Sequence, residues 1–318
     1  MSNDDPAKVK AGILYALGAY GLWGILPVYF LLLRPAGAIE IVAWRIVCSL
    51  VFCGILLAVT RSFGRFAAVL RDRRLVGTLA LAGAFIVVNW TTFIFATLSG
   101  HVVEAALGYF INPLVTVLLG VILLRERLRV RQWIAVGISV VAIVVIAVGY
   151  GRMPWISLIL ALSFGLYGFI KKRVGGRVDA IGGLTLETLA LAPAAIVALV
   201  VTSLTGGLSF GASGSLQAVA VIGTGVITAL PLLFFAAAAS RLPLSTLGLT
   251  QYLTPILQLI VGVAVLNEPM SASRWVGFAL IWVALVLLSA DALLVGRSRR
   301  GRTPAPARTS RIANETPR

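Results

Sequence analysis

Phe164-Gly165-Leu166-Tyr167-Gly168 (FGLYG) is a second copy of Tyr20-Gly21-Leu22-Trp23-Gly24 (YGLWG), which lies 144 positions earlier. At a shift of 142 the echo continues: Gly83 falls on Gly225, Phe93 on Phe235, Pro113 on Pro255, Gly120 on Gly262, Leu124 on Leu266, Glu126 on Glu268 and Trp133 on Trp275. The chain is therefore written twice, and each copy must be read for what it can fold into.

Of 318 residues, 59% are hydrophobic and 12% charged, with a mean hydropathy of +1.01. Soluble domains carry about 25% charged residues, so this is a membrane protein with little left for a soluble domain. Ten apolar segments have the length of a span, at about 11–33, 38–60, 75–97, 102–124, 132–150, 154–170, 180–202, 216–239, 244–266 and 273–295. Lipid offers the backbone no hydrogen-bond partner, and these segments are twice the length of a barrel strand, so each is a helix. The first is far longer than the apolar core of a signal peptide and is expected to be retained.

The expected fold is an all-α membrane protein of ten transmembrane helices arranged as two inverted five-helix repeats. Five is odd, so the second copy enters the membrane with the opposite sense, a design typical of secondary transporters whose solute site lies between the halves. The expected divisions are a cytoplasmic N-terminus at 1–10, the first repeat at 11–150, the second at 151–296, and a basic, disordered cytoplasmic tail at 297–318.

The formal charge of +16 does not point to nucleic acid, because the cations lie between spans rather than on one folded face. With the N-terminus inside, 23 of the 27 Lys and Arg fall on the inner side. These include Arg61, Arg65, Arg71, Arg73 and Arg74 after span two, and Lys171, Lys172, Arg173 and Arg177 after span six. That asymmetry orients both termini to the cytoplasm and predicts anionic headgroups as the contact. For Lys171 to Arg173, at the end of span six, snorkelling to the headgroups is the expected behaviour. Cys48 and Cys53 share span two on different helix faces, and no Cys/His cluster exists, so neither a disulfide nor a metal is expected.

Charges inside spans cost about 2.5–3.5 kcal/mol each on insertion scales and mark cavities or partners. Glu40 and Arg45 lie in span two, Glu104 in span four, Glu187 in span seven and Asp291 near the inner end of span ten. Asp291 reads as interfacial, and Glu126 and Glu268 as terminal anchors that pair with arginine or cap loop amides. Arg45 and Glu187 are repeat equivalents of opposite charge, and an ion pair across the pseudo-axis is expected, since each would offset the other's desolvation.

In span four Glu104, Gly108, Asn112 and Thr116 recur every fourth residue, with His101 three before Glu104; the second copy has Thr246, Thr250, Thr254 and Gln258. Interhelical glue is the ordinary use of a single Thr, whereas two matched stripes favour a lined pathway, with Pro113 and Pro255 freeing carbonyls toward it. Asn89-Trp90, deep in span three, and Tyr20, Trp23 and Tyr167, near mid-span, complete the candidates. The rings serve packing or stack on a solute. No nucleotide-binding P-loop occurs, so this chain holds no nucleotide-driven engine; proton coupling would need a buried carboxylate or histidine, for which His101, Glu104 and Glu187 are the candidates.

Residues 40–45 (EIVAWR), 89–90 (NW), 104–114 (EAALGYFINPL), 163–173 (SFGLYGFIKKR), 186–188 (LET) and 229–255 (ALPLLFFAAAASRLPLSTLGLTQYLTP) resemble the RarD permeases, EamA-type transporters of the drug/metabolite transporter superfamily. Where the family pattern has a histidine before the arginine of EIVAWR, this chain has Trp44. The resemblance covers all but the two ends. It implies a bacterial inner-membrane permease with a cavity between spans one to four and six to nine, and it adds Tyr109 and Gln251 to the solute-site candidates. The expected activity is secondary transport, as an exporter, of a small metabolite or drug-like solute by alternating access, with proton coupling. The alternative is a flippase for a lipid-linked or nucleotide-linked group. A membrane-embedded enzyme fits poorly with one histidine and scattered carboxylates. No cofactor is expected; the expected partners are the solute and anionic lipid, with a homodimer allowed.

Overall fold

The computed structural model describes residues 6–300 apart from 126, 127, 129, 175, 176 and 243. Every regular element among the described residues is helical: α1 Pro6–Leu31, α2 Ala38–Val59, α3 Phe63–Arg71, α4 Arg73–Leu98, α5 Val102–Leu124, α6 Val130–Tyr150, α7 Trp155–Val174, α8 Ala180–Thr205, α9 Ser215–Ala239, α10 Leu244–Thr250, α11 Leu253–Ile260 with a π-helical turn Val261–Val265, and α12 Ala272–Arg300. Among the described residues, ten helical stretches are long and apolar enough to cross a membrane, α10, α11 and the π turn together forming the ninth.

Two local features depart from the sequence reading. The basic segment after span two contains a helix, α3, whose Phe66 and Val69 pack on Leu75, Leu79, Val174 and Leu186 while Phe63 and Leu70 stay exposed. Its signal was present in the sequence: Phe63, Phe66, Val69 and Leu70 recur at helical spacing, with Arg65 among them and Arg71 after them, the pattern of an interfacial helix too short to span. The ninth span is broken at Gln251-Tyr252, and α11 restarts with Pro255 in its first turn, where a missing N–H leaves no intrahelical bond unmade. Pro113, the repeat equivalent, sits inside an unbroken α5. The two prolines therefore do not act alike.

Packing follows the duplication. α1 packs on α9 and α11, and correspondingly α7 packs on α4 and α5; α2 packs on α9 as α8 does on α4; α2 with α8, α5 with α11 and α6 with α12 are pairings of equivalents. Each of these major contacts maps onto another, or onto itself, when the halves are exchanged. Most join one half to the other, so the repeats interlock rather than stand as separate bodies. Small residues allow the close approaches. A Cβ at Gly225 of α9 would lie 2.4 Å from the Cys48 carbonyl oxygen of α2, and at Gly83 of α4 it would lie 3.4 Å from the Glu187 carbonyl oxygen of α8, the equivalent crossing.

The connections gather at two ends. At one, Arg34 Nη2 donates to the Leu98 carbonyl at 2.7 Å and Ser213 Oγ to the Arg34 carbonyl at 3.1 Å. At the other, Arg177 meets Asp72 at 2.6 Å and Arg65 lies 3.8 Å from Asp179. This second end carries the cation-rich connections and is called the basic end below. Asp72 also caps α4, accepting from the N–H groups of Arg74 and Leu75, and the Leu75 N–H is the chief reason its carboxyl is held below its ordinary pKa.

Candidate functional site

Among the described residues four acids are buried in helical segments or at their ends, and each has donors. Glu40 accepts from the Ser209 N–H at 2.8 Å. Glu104, only 2% exposed, accepts from the Ile156 N–H at 3.1 Å and pairs with Arg152 at 3.3 Å. Glu268 holds the Val102 and Val103 N–H groups at 2.6 and 2.8 Å. These three anchor the end opposite the basic one: Glu104 serves the start of α7, Glu268 the start of α5, and Glu40 the α8–α9 connection. The cap-loop-amide alternative for Glu268 is the one realised; its counterpart Glu126 lies outside the described residues, as do the side chain of Asp291 and the tail beyond residue 300. Charge-assisted bonds to two otherwise unsatisfied helix N–H groups contribute about 2–3 kcal/mol. Glu268→Ala should lower unfolding stability by that amount, and Glu268→Gln by less, in thermal melts of detergent-solubilised protein.

Glu187 differs from these. It is 1% exposed, reached by Lys171 Nζ at 2.6 Å and by the Tyr167 hydroxyl at 3.4 Å. The expected Arg45–Glu187 pair is not formed, and Lys171 does not snorkel. Lysine has the reach to turn inward one turn before the helix end, and a carboxylate in low dielectric gains more from it than headgroups at the rim do. Gly183 leaves the space, since a Cβ there would sit 2.9 Å from Lys171 Nζ. Lys172 and Arg173 remain exposed, with Arg173 over the Phe169 ring at 4.5 Å.

Arg45 is 3% exposed. Its Nε donates to Thr228 Oγ1 of α9 at 2.8 Å, and its guanidinium lies 4.0 Å from the centre of the Trp90 ring and 5.6 Å from that of Phe30. Thr228 is held in turn by donation to the Thr224 carbonyl at 2.7 Å, which leaves its lone pairs for the arginine. The two repeat-equivalent charges thus take separate positions. Each lies seven residues into its helix, about 10 Å deep, Arg45 from the start of α2 and Glu187 from the start of α8 at the basic end.

A run of rings joins them. Phe30 meets Phe93 with centroids 6.1 Å apart, Phe93 meets Tyr109 at 5.7 Å, Tyr109 meets Phe164 at 6.0 Å and Phe164 meets Tyr167 at 6.0 Å. Asn89 pins this seam. Its Nδ2 donates to the Leu160 carbonyl at 3.1 Å and its Oδ1 accepts from the Tyr109 hydroxyl at 2.9 Å. Arg45, Trp90, Asn89, Tyr109, Tyr167 and Glu187 are therefore brought together along one path between the halves, whereas Lys171, its cationic terminus, was read from sequence as a headgroup anchor.

The remaining candidates lie elsewhere. Tyr20 and Trp23 cluster with Phe235, at 6.2 Å from each, and the Tyr20 hydroxyl points to the Leu247 carbonyl at 3.4 Å. In the second polar stripe Thr254 donates to the Tyr20 carbonyl at 2.9 Å and Gln258 to the Trp23 carbonyl at 3.3 Å, while Thr250 bonds its own helix. In the first, Gly108 abuts the Ser157 carbonyl and Thr116 bonds the Asn112 carbonyl. Thr254 and Gln258 thus tie α11 to α1, whereas Thr250 and Thr116 bond within their own helices. Asn112 Oδ1 is buried without a partner among the described residues. Gln251 sits in the break of the ninth span. His101 precedes α5 as its N-cap, 3.1 Å from Ser99 Oγ, so it does not share the helical face of Glu104.

A cavity of about 520 Å³ opens at the basic end beneath α3. Leu57, Phe66, Leu75, Val178 and Gly182 line it, with the paired Arg65, Asp72, Arg177 and Asp179 at its polar side.

Comparison with known proteins agrees with this architecture. The model of the EamA-like transporter family matches twice, over residues 10–148 and 153–290, one match to each half. Protein RarD of Streptomyces exfoliatus is 47% identical over 94% of this chain and 95% of its own length. An uncharacterized transporter of Vibrio cholerae is 38% identical over 93% of this chain and 97% of its own, and a chloramphenicol-sensitive protein RarD of Pseudomonas aeruginosa 31% over 91% and 98%. A solved crystal structure with 20% identity superposes at a TM-score of 0.58 over 87% of this chain and 96% of its own, a likeness of fold. The chain belongs to the EamA-like transporter family, and it is a multi-pass membrane protein of that family's transporter type.

Proposed function

We propose that this protein is a secondary transporter of the bacterial inner membrane that exports a small metabolite or drug-like solute by alternating access between two inverted repeats. The observation that carries this reading is the seam between the halves, with Arg45 buried toward one end and Glu187 toward the other. Buried charge on an aromatic path is costly in a structural bundle and useful where a solute must cross. Contacts between the halves at both ends supply what two gates require: Glu268 on α5 and Glu104 with Arg152 at one end, Asp72 with Arg177 at the basic end.

The basic end faces the cytoplasm in this reading, as the cation asymmetry dictates, and its arginines meet anionic headgroups. Of the three proton-coupling candidates, Glu187 is favoured. Glu104 is committed to holding α7, and His101 lies in a connection, whereas a proton on Glu187 would release Lys171 toward the basic end. Proteoliposome flux assays across amino acids, related amines and amphenicol drugs, with and without a pH gradient, test the reading. Glu187→Gln should abolish the response to the gradient, and Arg45→Ala should reduce flux at least tenfold. Wild-type flux in both variants would remove the seam from the mechanism, and flux indifferent to the gradient would remove proton coupling.

A further inference from the structure

Arg45 is the one buried base among the described residues, and it lacks the partner that every buried acid has. Glu40, Glu104, Glu187 and Glu268 are each held by an N–H group, an arginine or a lysine. Arg45 has one acceptor, the Thr228 hydroxyl, and that bond uses Nε. No hydrogen bond joins its two Nη atoms to a described residue, and neither is among the fully buried unpartnered atoms, so the Nη edge keeps a little accessible surface. A guanidinium left this way at 3% exposure is unfavourable for the apoprotein, and an arginine within a span calls for a partner.

We infer that Arg45 is the receptor for the carboxylate of the transported solute. The inference rests on the seam being the solute's path. Stacking on Trp90 at 4.0 Å and the Nε bond to Thr228 fix the plane and rotation of the guanidinium, so its Nη edge is presented in one direction. That edge is the half of the fork that takes a planar carboxylate through two parallel bonds. A single cation neutralises one charge, so a monoanion fits, whereas a phosphate dianion would leave net charge in a low-dielectric site. Phe30 and Trp90 beside the guanidinium, and Phe93 and Tyr109 beyond, suit an apolar or aromatic body attached to the carboxylate.

The test uses the full-length protein in lipid nanodiscs, with phenylacetate and indole-3-acetate as probes, their neutral amides and phenethylamine as controls, and inorganic phosphate as the dianion. Binding is read by the shift in melting midpoint and by tryptophan fluorescence. Both carboxylates should bind at least tenfold more tightly than their amides. Arg45→Gln should abolish that preference, and Arg45→Lys, which keeps charge but loses the fork, should weaken it at least tenfold. Equal binding of amides and carboxylates, tighter binding of phosphate or amine, or binding of neither carboxylate overturns the inference, and so does an Arg45→Gln protein that retains the preference. If Arg45→Gln does not fold, the wild-type preference together with a severalfold loss in Thr228→Val decides the matter. Carboxylate preference without flux in proteoliposomes would sink the transport reading alone. Flux of a neutral or cationic solute that needs Arg45, with no carboxylate binding, would sink this inference alone.

Discussion

Replacing Lys171 by methionine is expected to destabilise the protein by about 3 kcal/mol, the lower part of the range for breaking a buried ion pair. Glu187 would be left at 1% exposure with only the Tyr167 hydroxyl at 3.4 Å. The lower figure applies because the Lys171 side chain is 32% exposed, so part of its attraction is already screened. Lys171→Met combined with Glu187→Leu should recover most of the loss, since an apolar pair of similar volume avoids burying a lone charge. Thermal unfolding of the two single variants and the double in the same detergent reads the coupling directly. Purely additive effects would mean that the contact at 2.6 Å does not contribute.

The second large effect is steric. A Cβ at Gly225 would stand 2.4 Å from the Cys48 carbonyl oxygen and 3.2 Å from the Ser49 nitrogen, both backbone atoms of α2 that cannot swing aside. Gly225→Ala is expected to cost about 3 kcal/mol, at the upper end for overpacking, and to separate α2 from α9. That displacement would carry Arg45 away from Thr228, so flux should fall with stability. Gly21→Ala is the matched control. Nothing lies within 4 Å of its Cβ position, and alanine for glycine at this half-buried helix-interior position should be neutral or stabilise by up to about 1 kcal/mol. Equal melting temperatures for the two variants would show that the α2–α9 crossing tolerates a methyl group.

The copied glycine motif illustrates how far sequence reaches. YGLWG and FGLYG reveal the duplication, yet the glycines that pack are not equivalent ones: Gly24 meets Leu257 of α11, while Gly165 meets Val115 of α5, and Gly21 and Gly168 face open space. Sequence similarity reports common descent of a segment; which face is pressed against a neighbour depends on how helices from both copies rotate and slide. Of the residues along the seam, Arg45, Asn89, Trp90, Tyr167 and Glu187 were legible because polar or aromatic side chains deep in apolar spans are conspicuous, whereas Tyr109 came only with the family resemblance. Lys171 was not, because a lysine at a span end has two outlets, headgroup or buried acid, and only the position of α8 decides between them. The anchoring work of Glu104, and which amides Glu268 caps, were hidden for a related reason. Their partners, Ile156 and Val102, lie 52 and 166 residues away in sequence.

The sequence by itself determined the ten spans, the duplication and the charge asymmetry, because each follows from local composition: a backbone in lipid must close its own hydrogen bonds within about 20 residues, and cations resist crossing. Only the tertiary structure decided which charges meet. The pairing of Glu187 with Lys171, the isolation of Arg45 between Trp90 and Thr228, and the tie of Thr254 to α1 all turn on distances of a few ångströms between segments remote in the chain. In a low-dielectric interior such distances set the energy of every charge.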